Sequence, residues 1–192
     1  DVRVEHYRWP KAKPIANGKH TYTHNDLNLL VIDTDEGITG YGCSWAIEFA
    51  ESMGKAIIGM DPLCNEQIFA KTYVPKFIGT SAKTVSAIDM AVWDIKAKAA
   101  NLPLYKLLGG ARDRVDCYVA GGYYAPGKGI KELQQEMDEY LSWGIHAVKM
   151  KVGGISMRED AARVKAVREV IGDDTVLMMD ANCAYRFYEA IE

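Results

Sequence analysis

The 192-residue chain is 48% hydrophobic and 26% charged, enough apolar material for one sizeable core or two smaller ones. Its net charge of −3 comes from intermixed signs, so no basic face for nucleic acid is expected. No eighteen-residue apolar run and no secretory signal pattern is present, so a soluble, cytoplasmic protein with no membrane partner is expected.

Residues 1–9 alternate, with Val2 and Val4 on one face, and read as a first strand. Pro10 to Asp26 is polar and reads as a long loop holding His20, Tyr22 and His24. Leu27 to Asp33 and Ile38 to Cys43 flank the tight turn Asp35-Glu36-Gly37, which predicts a hairpin or meander. From Glu48 the period becomes helical. Breaks are expected at Gly59, at Asp61-Pro62 and at Gly79-Thr80-Ser81, before a strong helix carrying Val85, Ile88, Val92 and Ile95 on one face. Strands followed by helices describe an α+β domain over residues 1–112.

After Gly109-Gly110 the style changes. Val115 to Ala120 reads as a strand, Lys131 to Trp143 as a helix closed by Gly144, and Ala147 to Val152 as a second strand. Ser156 and Glu159 form a capping box that opens another helix, Thr175 to Asp180 reads as a third strand, and a helix begins near Tyr185. Strand starts near 115, 146 and 175 predict βα units with a parallel sheet. This α/β period suits the first three units of a (β/α)8 barrel over residues 113–192, truncated after the third strand, since eight units need about 250 residues. The first residue is Asp1, not Met, and the chain is expected to be the front part of a longer protein.

Lys149 and Lys151 lie two apart in the run Ala147 to Gly154, so they share one strand face, with Val148, Met150 and Val152 opposite. Two ammonium groups on a buried face disfavour each other's charge, which lowers a lysine pKa and makes a base for neutral pH. An edge strand with solvated lysines is the other reading of the run. Asp180 ends the next strand, where ligands gather in α/β architectures. It suits a hard cation such as Mg2+, and equally a helix N-cap. Cys43, Cys64, Cys117 and Cys183 have no CxxC spacing and read as reduced, mostly buried thiols. The four histidines lack metal-ligand spacing, and Gly121 to Gly129 lacks GxGxxG, so no nucleotide site is expected.

Val85-Ser86-Ala87-Ile88-Asp89-Met90-Ala91-Val92-Trp93-Asp94-Ile95-Lys96-Ala97-Lys98 and Pro103-Leu104-Tyr105-Lys106-Leu107-Leu108-Gly109-Gly110, followed by the K-x-K strand and the D-x-N strand end, resemble one signature. It is that of the mandelate racemase and muconate-lactonizing enzyme family of the enolase superfamily. The resemblance implies an α+β cap over a barrel. It also implies Lys151 as the base that takes the proton next to a substrate carboxylate. Lys149 would tune Lys151 and help hold the carboxylate, and Asp180 would be the first of three carboxylate ligands to Mg2+. Asn182 would touch substrate or order the metal's shell, and the His20 loop with the segment near Trp45 would form a substrate-selecting lid. The other metal ligands and the opposing acid would lie on later strands.

The function expected is Mg2+-dependent proton abstraction through an enediolate. The polar lid favours a sugar-acid dehydratase acting on a small carboxylate, within a homo-oligomer. A racemase, epimerase or cycloisomerase of the same family is the alternative, with a Schiff-base aldolase or an inactive binding fragment as further readings.

Overall fold

A computed structural model describes residues 1–47, 49–73, 75 and 78–191. The chain divides into two compact units: Asp1–Trp9 with Asp26–Arg114, and Pro10–Asn25 with Val115–Glu192.

The first sheet has the order β1-β2-β3, from β1 (Val2–Ala16), β2 (Thr21–Asp33) and β3 (Thr39–Ser44). The stretch expected as a long loop is therefore a hairpin, with only residues 17–20 as its turn. Pro10 and Pro14, residues typical of loops, lie in β1, and an edge strand tolerates residues that donate no ladder hydrogen bond. Asn17 closes the turn, its buried side-chain oxygen accepting from the N–H groups of Lys19 and His20, each at 2.8 Å.

In the first unit α1 (Ala50–Ile57) and α2 (Asn65–Thr72) precede α3 (Ile78–Ala99), and the short α4 (Leu104–Leu107) follows. Gly79-Thr80-Ser81 does not break the chain but belongs to the start of α3. Ala87, Ile88, Ala91, Val92 and Ile95 of α3 bury against Leu30 and Ile32 of β2. The helix lies unusually close to β3. A Cβ on Gly42 would stand 1.8 Å from the Ala87 carbonyl oxygen, and one on Gly40 2.2 Å from that of Ala91. Asp94 secures the contact by accepting the Tyr41 N–H at 3.0 Å and the Lys98 ammonium at 2.7 Å. Gly42→Ala must push backbone from backbone, and a loss of about 3 kcal/mol is expected in denaturant unfolding. An unchanged midpoint would contradict this packing.

The second unit holds a parallel sheet, β4 (Val119–Ala120), β5 (Ala147–Lys151) and β6 (Val176–Asp180), in that order. The first strand is shorter than expected: Val115 is 76% exposed, and pairing begins only at Val119. Between the strands run α5 (Ile130–Ser142) and α6 (Met157–Ile171), with α7 (Phe187–Ile191) last. Leu133, Met137, Val148, Met150, Val167 and Ile171 form the core. Gly144 follows α5 at φ +77°, and the Ser156–Glu159 capping box opens α6 with both of its reciprocal hydrogen bonds. The four cysteines are free, but three are exposed instead of buried, because Cys43 sits on the outer side of β3 and Cys117 and Cys183 in connections. Among the described residues no helix is long and apolar enough to cross a membrane.

Candidate active site

Strand register places the candidate groups. In the parallel pair β5–β6, Lys151 stands opposite Asp180 and Lys149 opposite Met178, so both lysines and the acid meet at the C-terminal edge of the sheet. The Lys151 ammonium donates to Asp180 Oδ2 at 2.8 Å, and the Lys149 nitrogen lies 3.7 Å from the same oxygen. The Lys151 side chain is only 7% exposed, against 23% for Lys149 and 30% for Asp180. Val148, Met150 and Val152 face the opposite way and are buried.

Tyrosines complete the surroundings of both amines. Lys149 donates to the Tyr118 hydroxyl at 3.1 Å and lies 4.9 Å from that ring's centroid; Lys151 lies 5.2 Å from the Tyr123 ring. The Lys149 pKa is raised, first by its hydrogen bond to Tyr118 and further by the electrostatic influence of Tyr118 and then of Asp180, which together outweigh desolvation. At Lys149 the Tyr118 hydroxyl, and not repulsion from a second amine, therefore decides the direction.

Asp180 is held below the ordinary carboxylate range, by the Lys151 hydrogen bond first and the Asn182 N–H at 2.9 Å second. A carboxylate with a lowered folded-state pKa stabilises the fold fully above its unfolded value, about 3.9, and that contribution disappears as pH falls through the folded value. The thermal midpoint of Asp180→Asn is therefore expected to fall less than that of the wild type as pH drops from about 5 to about 3. Parallel curves would remove Asp180 from the acid response.

Asn182 follows with φ +49°, and its buried Oδ1 has no hydrogen-bond partner. His20 is an exposed residue of the hairpin turn. The Tyr22 ring of the hairpin packs edge-on against Tyr123, with the ring centroids 6.5 Å apart. Trp45 belongs to the first unit and is 90% exposed. Tyr118 and Tyr123 escaped the sequence reading, although the run Tyr118 to Tyr124 sets three tyrosines around two glycines at a strand end.

Asp180 and the orphaned Asn182 Oδ1 are hard oxygen donors, the kind that Mg2+ takes. Among the described residues, however, no three His, Cys, Asp or Glu side chains cluster to hold a metal. The donor set fits Mg2+ in kind and would supply part of its shell.

Residues 1–109 match the N-terminal domain of mandelate racemase and muconate lactonizing enzyme, and residues 132–192 match the enolase C-terminal domain-like family. The chain belongs to the mandelate racemase/muconate lactonizing enzyme family. It carries the α+β cap and the start of the barrel domain of the enolase superfamily. It is 36% identical over 173 residues to arabinonate dehydratase of Saccharolobus solfataricus, covering 84% of this chain and 46% of that protein. The structure of L-talarate/galactarate dehydratase of Salmonella typhimurium, liganded with Mg and L-lyxarohydroxamate, superposes with a TM-score of 0.83 at 30% identity. That match covers 99% of this chain and 53% of the other. Dipeptide epimerase of Enterococcus faecalis, complexed with Mg and L-Leu-L-Tyr, gives the same TM-score and identity over 99% and 55%. Other relatives are cycloisomerases. The chain spans about half the length of the curated relatives it matches.

Proposed function

We propose that the full-length protein abstracts the proton next to the carboxylate of a small acid, with Mg2+ as cofactor, and acts as a sugar-acid dehydratase. The observation that supports this is the meeting of Lys149, Lys151 and Asp180 at one strand edge, with Lys151 nearly buried. Lys151 acts as the base. Its ammonium form is anchored on Asp180 and over Tyr123, which restricts a flexible side chain to one position. Lys149, the more exposed amine, holds a substrate carboxylate oxygen and stays cationic through Tyr118 and Asp180. Removing a proton beside a carboxylate concentrates negative charge on its oxygens, and a fixed ammonium stabilises that charge most in the transition state. Asp180, together with the Asn182 amide oxygen, would hold Mg2+, which when bound supplies a second positive charge for those oxygens. His20 and Trp45 remain candidates for substrate contact, and residues 1–112 and 113–192 for the cap and barrel parts. We further place the protein in the cytoplasm as a homo-oligomer.

Dehydratase chemistry is favoured by the kinship to arabinonate and galactarate dehydratases, while the epimerase and cycloisomerase relatives make those the second reading. Incubating full-length protein with a panel of acid sugars, including arabinonate and galactarate, is expected to yield 2-keto acid products that EDTA abolishes. Inverted or cyclised products would move the assignment to the second reading. A borohydride-trapped adduct on Lys149 or Lys151 with EDTA-resistant turnover would establish a Schiff-base aldolase instead.

A further inference from the structure

A buried charge pair on α6 takes no part in the chemistry above, yet it grips the backbone from which that chemistry hangs. Asp160 is 2% and Arg163 9% exposed, both inside the second unit. Burying two charges without special compensation is costly, so such a pair is expected to have its hydrogen-bonding capacity used. Here it is. The Arg163 guanidinium donates to Asp160 Oδ1 at 2.9 Å, to the Lys151 carbonyl at 2.9 Å and to the Gly122 carbonyl at 2.7 Å. Its central carbon lies 4.0 Å from the Tyr124 ring centroid. Asp160 in turn accepts the Gly153 N–H at 2.7 Å and the Tyr124 hydroxyl at 2.6 Å.

The two carbonyls are informative. One belongs to Lys151 itself, the root of the amine's side chain. The other belongs to the residue before Tyr123, over whose ring the Lys151 ammonium rests. A single planar fork therefore sets both the origin of the lysine side chain and the surface it lies on, a geometry that a lysine in place of Arg163 cannot reproduce. We propose that Arg163, oriented by Asp160 and Tyr124, is the positioning residue for Lys151, fixing where its amine stands relative to Asp180 and the substrate carbon. This rests on Lys151 being the base.

The test compares Arg163→Lys and the charge-neutral double variant Asp160→Asn/Arg163→Met with wild type and Lys151→Ala, all as full-length protein with Mg2+. The double variant removes both charges together and so avoids stranding one of them. The substrates are galactarate and arabinonate, each unlabelled and deuterated at the carbon beside the carboxylate. In parallel, the NMR signal of the 15N-labelled Lys151 ammonium reports on its position without turnover. Both variants are expected to lose about 10- to 100-fold in kcat with KM within about threefold and a larger deuterium isotope effect. The Lys151 ammonium signal is expected to shift or broaden by exchange. Unchanged kcat in the folded fraction, or reduced kcat with an unchanged isotope effect and an unmoved ammonium signal, would overturn the proposal and leave Arg163 a purely structural residue. Full activity of Lys151→Ala would overturn the base assignment instead, and the positioning role with it. Should wild type turn over neither sugar, the ammonium signal alone decides whether Arg163 positions Lys151.

Discussion

Replacing Lys151 with methionine in the full-length protein is expected to lower kcat by about 1,000-fold or more while leaving Mg2+ binding as tight as in wild type, or tighter. The first half follows from the proposed role of Lys151 as base: no other described amine is both as buried and as close to Asp180, since Lys149 is 3.7 Å away and engaged with Tyr118. The second half follows from charge. Lys151 is the nearest cation to the Asp180 carboxylate, and taking it away leaves that carboxylate with less competition for a metal. Methionine is chosen because the site is nearly closed and an apolar chain of similar length fills it without stranding a charge. Titration calorimetry with Mg2+ beside the turnover assay checks both halves. Loss of metal binding together with activity would show that Lys151 supports the metal site and not the proton transfer.

Asp180→Asn should give the mirror image. It removes the proposed carboxylate ligand but keeps the side chain's shape, and Mg2+ affinity is expected to fall on the order of 100-fold or more. Activity is expected to fall with it and to return in part at high Mg2+ concentration. Lys151 keeps a neutral acceptor in place of its ion-pair partner, so the fold near neutral pH should survive. Wild-type affinity for Mg2+ in Asp180→Asn would place the metal elsewhere.

The parts of this molecule written in local periodicity were readable from the chain. Ser156 and Glu159 announce α6 because a capping box is a contact between residues three apart, and Gly144 ends α5 for an equally local reason. The sharing of one face by Lys149 and Lys151 is likewise a property of any strand. The hairpin was not readable: Pro10, Pro14 and a polar run look like a loop, and only its place at a sheet edge makes them strand. Nor was the upward shift at Lys149, which depends on Tyr118 from a different strand end, thirty-one residues earlier. Asp160 and Arg163 did carry a signal. They fall three apart in the same row as the buried Val167 and Ile171, where an amphipathic helix should be apolar. Charges at such positions need each other, and their three-residue spacing points to the pair.

In the proposed reaction a proton leaves the carbon beside a carboxylate and passes to Lys151. Release of label from an acid sugar deuterated at that carbon, followed as HDO by deuterium NMR, measures this most directly. Wild-type full-length protein with Mg2+ is expected to release the label in step with product, and Lys151→Met to release almost none. Product that retains its deuterium, or undiminished release by Lys151→Met, would contradict it.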